Sequence, residues 1–218
     1  MRLDLAERLR CPNPHVPTPM VVVARAKREF ELMTGFAGCP VCHLEARFED
    51  GHLRFAPKIG DGLLAEESVI VGPWWEAELE RTIALLGLAE PGGAVLLTGR
   101  YARLAEMLAA AVDTSVVVMG VRELPLATDR VAGVEQSLSG VPFTDGTFRA
   151  AAVCAHSTTA FMHDAVRTVA PKGRLLVPVN RTMPPGLKEL ARDEQESVSE
   201  REVAGAMVEL GRRKPEEG

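Results

Sequence analysis

The sequence predicts an α/β protein in which a small β-rich module precedes a mostly parallel sheet. Two observations lead to this fold class. From about residue 71 onward, short runs of consecutive apolar residues alternate with segments of helical periodicity, which is typical of parallel strands covered by helices on both faces. Before residue 60, the chain instead combines three of its four cysteines with short runs rich in β-branched and aromatic residues.

The first part of the chain is predicted to form a small ribbon of strands. Residues 20–24 read Met-Val-Val-Val-Ala, which favours a strand. Residues 44–48 and 52–55 form two further candidate strands. The residues between them end in Asp50-Gly51, a typical turn signal of a β-hairpin. We expect the cysteines to lie on loops held by this small sheet.

The positions of the cysteines predict a zinc site. Cys11, Cys39 and Cys42 lie within 32 positions of one another, and Cys39-Pro-Val-Cys42 is a CxxC motif preceded by glycine. Zinc takes four ligands from Cys and His in a tetrahedron. His15 is the predicted fourth ligand, because two prolines stiffen the loop that connects it to Cys11. His43 is the alternative, although it directly follows Cys42 and would have to fold back sharply.

The CxxC motif has three other interpretations. Cys39, Cys42 and His43 also match the attachment motif of c-type haem, but the chain shows no export signal. A thioredoxin-like redox motif normally opens a helix, whereas this one opens a predicted hairpin. Buried, inert cysteines are the third alternative. Cys154, within the apolar run Ala-Ala-Ala-Val-Cys-Ala, is predicted to be a core residue.

The larger part of the chain is predicted to alternate between strands and helices. Apolar residues at Leu79, Ile83, Leu86 and Leu88 indicate an amphipathic helix. Gly87 and Pro91 indicate where this helix ends. The elements that follow are a strand over 94–98, a helix over 102–112, a second strand over 116–119, a third over 134–138, a fourth over 150–155, a helix over 159–169 and a fifth strand over 174–179.

Two stretches of this part resemble class I S-adenosylmethionine-dependent methyltransferases. Gly140-Val-Pro-Phe-Thr-Asp-Gly-Thr-Phe148 is similar to the loop before the fourth strand of that family. Val169-Ala-Pro-Lys-Gly-Arg-Leu-Leu-Val177 is similar to the turn and fifth strand. The resemblance implies a Rossmann-like methyltransferase fold with a mostly parallel seven-stranded sheet. Its antiparallel strands six and seven would come from residues 187–198 and 206–212, although the first segment equally suits a helix.

The N-terminal pattern, Cx3H followed by CxxC, resembles zinc ribbons that stand before or beside methyltransferase domains. We therefore expect a zinc-ribbon module over 1–60, a linker over 61–75, a methyltransferase-like domain over 76–213 and a tail over 214–218.

The cofactor loop departs from the family that the chain resembles. That family has a glycine-rich loop after strand one, because the backbone must approach the cofactor closely, and an acidic residue at the end of strand two. Here the loop keeps only Gly99, followed by Arg100 and Tyr101, and no carboxylate precedes Glu123 after the second strand. Arg149 stands where the family often has an acidic residue. We expect Gly99, Arg100 and Tyr101 to form a degenerate cofactor site, which argues against bound S-adenosylmethionine.

These observations predict a non-catalytic scaffold or assembly protein that binds zinc and a protein partner. The alternative is an active methyltransferase acting on RNA or protein. A zinc-dependent nucleic-acid adaptor is a third possibility, supported weakly by charge. Residues 1–60 hold 9 basic and 7 acidic residues, but the remainder holds 16 and 23. No apolar run approaches the roughly 18 residues of a membrane helix, and the start lacks the apolar core of a signal peptide. We expect a cytoplasmic protein without membrane contact.

Overall fold

The computed structural model describes residues 1–55, 75–121, 123–135, 140–154, 157–179 and 183–203. Within these residues the chain forms eleven strands and four α-helices. In chain order they are α1 (Leu3–Ala6), β1 (Val21–Arg28), β2 (Glu31–Gly38), β3 (Glu45–Glu49), β4 (His52–Phe55), α2 (Trp75–Leu86), β5 (Ala94–Thr98), α3 (Ala105–Val112), β6 (Ser115–Met119), β7 (Val131–Glu135), β8 (Phe148–Ala152), α4 (Thr159–Thr168), β9 (Val169–Pro178), β10 (Leu187–Arg192) and β11 (Glu196–Arg201). A 3-10 helix, Gly99–Leu104, joins β5 to α3.

All eleven strands belong to one mixed sheet, in the order β1-β2-β3-β4-β7-β6-β5-β8-β9-β11-β10. The five central strands, β7-β6-β5-β8-β9, are parallel. Taken in chain order they follow the 3-2-1-4-5 arrangement of a doubly wound sheet, whose order reverses between β5 and β8. At one edge, β11 pairs antiparallel with β9, and β10 pairs antiparallel with β11.

The prediction of a seven-stranded sheet is wrong, because the strands of the N-terminal module extend the same sheet. β4 pairs in parallel with β7, with Leu53 opposite Val134 and Arg54 opposite Glu135. A parallel sheet has a free edge at its third strand, and an unpaired edge is stabilised by any strand that satisfies its backbone groups. The hairpin β3–β4 does so here, which adds four strands to the seven.

Helices cover the two faces of the sheet unequally. Val95 and Leu97 of β5 point to the face that packs against α2 and α3, whereas Leu96 points to the other face. That other face is covered by α4 and by the first residues of the chain, including Leu5 and Leu9. No helix in the described residues is long and apolar enough to cross a membrane.

The segment before the first cysteine is anchored to the loop over 140–148. The Arg10 N–H donates to the Pro142 carbonyl over 3.1 Å, and the Thr144 N–H donates to the Arg8 carbonyl over 2.8 Å. Asp145 accepts from Arg10 and Arg167. The fully buried Leu9 thus lies in a core shared by the N-terminal module and the larger sheet.

The hairpin of the module is confirmed, and one strand beside it was missed. Asp50 and Gly51 both have positive φ, at 50° and 80°, as a type I′ turn between β3 and β4 requires. β2 was not predicted, because its sequence, Glu-Leu-Met-Thr-Gly-Phe-Ala-Gly, has two glycines and no run of β-branched residues. It is stabilised by pairing with strands on both sides.

In the larger part, the predicted helices and the first two strands occur close to where expected, although the helix predicted over 102–112 is a 3-10 helix as far as Leu104. The later strands differ in their bounds, and the fourth, predicted over 150–155, lies at Phe148–Ala152. The third strand was predicted over 134–138 and lies at Val131–Glu135, and residues 136–139 lie outside the described residues. β9 begins at Val169, so the predicted Pro-Lys-Gly turn is an irregularity inside a strand. Both antiparallel strands come from 187–201, whereas 206–212 lies outside the described residues.

Candidate metal centre

The first ligand loop is a short, proline-rich excursion over residues 11–19. It is closed at its base by the bridge between Arg10 and Pro19. The Cys11 N–H donates to the Thr18 carbonyl over 2.9 Å. The four prolines in this loop remove backbone donors and restrict φ, so few conformations remain for the intervening residues. The loop therefore presents Cys11 and His15 from a constrained backbone.

The second ligand loop connects β2 to β3. The Cys39 N–H donates to the Leu44 carbonyl over 2.9 Å, and the His43 N–H donates to the Cys39 carbonyl over 3.0 Å. His43 adopts a left-handed backbone conformation with φ of 58°. These bonds close a tight turn that carries Cys39 and Cys42.

The two loops bring four potential ligands together. The ligand atoms of Cys11, His15, Cys39 and Cys42 all lie within 4.8 Å of one another. His15 Nε2 is 3.1 Å from Cys11 Sγ and 3.4 Å from Cys39 Sγ, and the Sγ atoms of Cys11 and Cys42 are 3.5 Å apart. A tetrahedral zinc ion with standard bond lengths separates two sulfurs by about 3.8 Å and a sulfur from a nitrogen by about 3.5 Å. The cluster therefore has dimensions close to those of a metal site, and His43 is not part of it.

Neighbouring groups orient these ligands. His15 Nδ1 lies 2.7 Å from the Val16 carbonyl, so the ring donates its Nδ1–H there and leaves the Nε2 lone pair toward the sulfurs. A carbonyl partner of this kind commonly fixes the tautomer of a metal-binding histidine. Asn13 Nδ2 donates to Cys42 Sγ over 3.3 Å. The residues present thus fit a metal ion held by three thiolates and one imidazole.

The surroundings shift the pKa values of the potential ligands in different directions. Burial raises the pKa of the Cys11 thiol to about 12. A hydrogen bond from the Leu44 backbone lowers the pKa of Cys42 to about 6, against the opposing effect of burial. A hydrogen bond to the Val16 carbonyl raises the pKa of His15. Thiolates are the form that binds metal, and the lowered pKa of Cys42 favours its thiolate before an ion arrives.

Cys154 lies apart from the cluster, at the end of β8. It is buried, its Sγ is 3.6 Å from Ser157 Oγ, and its N–H donates to Thr98 Oγ1 over 2.9 Å. A Cβ atom added to Gly99 would come within 2.6 Å of the Cys154 side chain. Cys154 therefore packs directly over Gly99 at the point where the strand order reverses, which in doubly wound sheets is the usual place for a ligand.

Arg100 and Tyr101 meet Glu196 of β11. Glu196 is 3% exposed and accepts hydrogen bonds from the Tyr101 hydroxyl and from Arg100 and Arg81. Burial opposes ionisation of this carboxyl, but the bonds from Tyr101 and Arg81 and the charge of Arg100 outweigh it, so the pKa of Glu196 is lowered. Tyr101 is fully buried among the residues that α2 and α3 cover.

Of the three predicted cofactor-loop residues, Arg100 and Tyr101 therefore contact Glu196, and Gly99 lies against Cys154. Sequence analysis missed Glu196 and Arg81, because 95 residues separate Glu196 from Tyr101 and 115 separate it from Arg81. No sequence spacing could signal this contact.

Comparisons with known proteins give only distant similarities. No family model matches the chain, and no curated protein matches it. Solved structures that align with parts of it include geranyl diphosphate methyltransferase in complex with GPP and sinefungin, with 22% identity, TM-score 0.37 and coverage of 47% of this chain and 43% of that one. The antibiotic-resistance methyltransferase Kmr aligns at 14% identity and TM-score 0.40, covering 64% and 97%. MtNAS in complex with MTA and tNA aligns at 14% and 0.40, covering 59% and 60%.

The chain spans about half the length of the first solved structures that it matches. All of these TM-scores lie below 0.5, so the strand order of the chain itself carries the description of the fold.

Proposed function

We propose that the chain binds one structural zinc ion through Cys11, His15, Cys39 and Cys42, and that it acts as a non-catalytic scaffold or assembly protein. The observation that carries the proposal is the gathering of four ligand atoms within 4.8 Å from two separately braced loops. Four protein ligands fill the tetrahedron and leave no position for a substrate, as in structural zinc sites. The ion would supply folding energy to the module. A reducing cytoplasm, which keeps thiols free, suits this role.

The larger domain is proposed to be methyltransferase-like. The parallel strands follow the order expected of that fold, and the antiparallel pair β10–β11 stands where strands six and seven of the resembled family belong. This topology supports the resemblance of the loop over 140–148 and of the turn before residue 174.

The contacts of the cofactor loop support the proposal that the domain does not transfer methyl groups. Arg100 and Tyr101 are engaged by the buried Glu196, and Cys154 occupies the space over Gly99. A cofactor at this place would have to displace the partners of the buried Glu196, and a buried carboxylate left without its partners costs several kcal/mol.

A protein is the proposed partner. Val16 and Val41 stand on the two ligand loops and are 78% and 58% exposed. Apolar side chains at exposed loop tips suit a protein surface better than a phosphate backbone, which selects basic residues.

The zinc content of purified protein tests the metal site. We expect one zinc per chain by elemental analysis, retained in Cys154→Ser and lost in Cys39→Ser. Cys154 is the matched control because it is also a buried thiol. Equal zinc content in both variants, or none in the wild type, would contradict the site.

Calorimetric titration with S-adenosylmethionine tests the absence of catalysis. We expect no heat of binding to zinc-loaded protein at millimolar cofactor. Binding at micromolar concentration would refute the scaffold function while leaving the zinc site intact.

An active methyltransferase is the second candidate, favoured by one observation. Gly120 follows β6 with φ of 67°, and none of the described residues lies within 4 Å of the position of a Cβ there. Open space at this strand end is where the resembled family binds its cofactor, and the slightly basic module would present RNA or protein. Transfer of a labelled methyl group from S-adenosylmethionine to a macromolecule in cell extract would support this function, and its absence would count against it.

A further inference from the structure

Three cations surround a small pocket at the amino ends of β8 and β9. Arg149 is the second residue of β8, and Lys172 and Arg174 lie on β9, close to the irregularity in its pairing with β8. Together with Gly87 and Gly173 they line a cavity of about 240 Å³. The pocket and the metal centre lie at opposite ends of the parallel strands. β2 runs in the same direction as these strands, and the ligand loops lie at its carboxyl end.

The pocket is lined by three cations, and Glu200, which stands opposite Arg174 in the register of β9 and β11, forms no ion pair with it. No acidic residue is among its lining residues. Within the part of the chain that the structure describes, Arg149, Lys172 and Arg174 form no ion pair, whereas most other arginines there do. The chain as a whole carries a formal charge of −5. Three cations without an ion pair around one cavity are therefore unusual among the described residues of this protein.

The two guanidinium groups are held in place by the backbone. Arg149 Nη1 donates to the carbonyls of Glu90 and Gly92 over 2.5 and 2.9 Å. Arg174 Nη1 donates to the carbonyls of Ala84 and Leu85 over 3.1 and 3.2 Å. The latter contacts cap the carboxyl end of α2, a common role for arginine. They occupy only one nitrogen of each group, which leaves Nε and Nη2 without a partner among the described residues.

Glycines permit this close approach. A Cβ at Gly87 would come within 3.0 Å of the Arg174 guanidinium, and one at Gly93 within 3.0 Å of Arg149 Cδ. Lys172 adopts a left-handed backbone conformation with φ of 63°. It is exposed and lies at the rim of the pocket. The two guanidinium groups are thus held by backbone carbonyls and not by carboxylates.

We propose that Arg149, Lys172 and Arg174 form a binding site for a phosphate-sized oxyanion, either inorganic phosphate or a phosphomonoester. Planar guanidinium groups bind phosphate through paired charge-assisted hydrogen bonds, and lysine adds a point charge. The cavity is smaller than the 300–1,000 Å³ typical of sites for whole organic ligands, which favours the phosphate group itself. This site depends on neither zinc nor S-adenosylmethionine, so its failure would leave the proposed function untouched.

Titration of zinc-loaded, ¹⁵N-labelled full chain with inorganic phosphate tests the site, with sodium chloride at equal ionic strength as reference. The amide resonances of Gly87, Lys172 and Gly173 should shift saturably. Lys172→Gln should weaken binding about tenfold, the loss of one charge-assisted hydrogen bond. Lys172→Gly should do the same, and it keeps the positive φ without strain. Lys188→Gln, an exposed lysine of β10, is the matched control.

Phenyl phosphate distinguishes the two sources of the anion. Binding as tight as that of inorganic phosphate supports a site for esterified phosphate, and weaker binding supports a site for the free anion. No saturable shift with either compound would overturn the proposal. So would equal weakening by Lys172→Gln and Lys188→Gln, because the effect would then be one of net charge alone.

Discussion

Replacing Glu196 by glutamine separates a structural from a ligand-binding role of the cofactor loop. Glutamine keeps the shape and can still accept from the Tyr101 hydroxyl, so the change removes mainly the charge that faces Arg81 and Arg100. Breaking a buried pair by removing one partner costs about 3–5 kcal/mol. The side chains of Arg81 and Arg100 are 41% and 34% exposed, so water solvates them in part. We therefore expect a loss of about 2–3 kcal/mol in the free energy of unfolding.

Urea unfolding of zinc-saturated protein, followed by circular dichroism, measures this loss. Glu189→Gln is the matched control, because Glu189 also pairs with an arginine, Arg192, but at the surface. Surface pairs contribute about 0–1 kcal/mol. If Glu196→Gln unfolds like the control and gains affinity for S-adenosylmethionine, the cluster is not structural, and the loop is poised for a cofactor.

The difference in unfolding free energy between the wild type and Glu196→Gln should depend on pH. The pKa of Glu196 is lowered below its ordinary value of 4.5 in the folded chain, so the unfolded chain takes up the proton first as the pH falls. The contribution of Glu196 is then complete above about pH 5 and is lost as the pH falls through the lowered pKa. The difference in unfolding free energy between wild type and Glu196→Gln should shrink over that range. A difference that stays constant to pH 3 would contradict this assignment.

Three further predictions concern the metal ligands, the packing over the cofactor loop and the shared core. His15→Ala should weaken zinc binding at least tenfold, because it removes one ligand, whereas His43→Ala should leave zinc affinity unchanged. Competition with a chromophoric chelator measures both affinities. A larger loss in His43→Ala than in His15→Ala would make His43 the ligand. Gly99→Ala should cost about 2–4 kcal/mol of stability, because its Cβ would meet Cys154 at 2.6 Å and φ is 52°. Gly92→Ala, at φ of 89° and with no atom of the described part of the chain within 4 Å of the new Cβ, should cost only the backbone strain. Equal losses in thermal unfolding would exclude the contact with Cys154 as the cause. Leu9→Ala should destabilise module and sheet in one transition by about 2–5 kcal/mol, because fully buried Leu9 lies in their common core; two separate transitions in calorimetry would show independent domains.

The metal cluster was predictable because its ligands are close in sequence and their chemistry is specific. Cys39 and Cys42 form a CxxC turn whose geometry is local, and Cys11 and His15 share one proline-stiffened loop. The choice between His15 and His43 was left open by the spacing. The structure places His15 in the cluster and leaves His43 outside it, and the Val16 carbonyl orients the His15 ring.

The central strands and helices were also predictable, since hydrophobic periodicity is imposed by burial on one or both faces of each element. β2 and the start of β7 were missed, because small residues there fit a strand only when neighbours pair with them. Their pairing energy comes from tertiary contacts that a local pattern does not contain.

The sequence by itself determined the class of fold, the hairpin at Asp50-Gly51 and the set of candidate zinc ligands, because each depends on residues close together in the chain. Only the tertiary structure decided that the module extends the larger sheet through β4 and β7, that Glu196 engages Arg100 and Tyr101, and that Arg149, Lys172 and Arg174 surround one pocket. Leu53 and Val134 lie 81 positions apart in the chain, and Tyr101 and Glu196 lie 95 apart. These contacts are set by strand order and by the burial of charge, neither of which is encoded in local spacing.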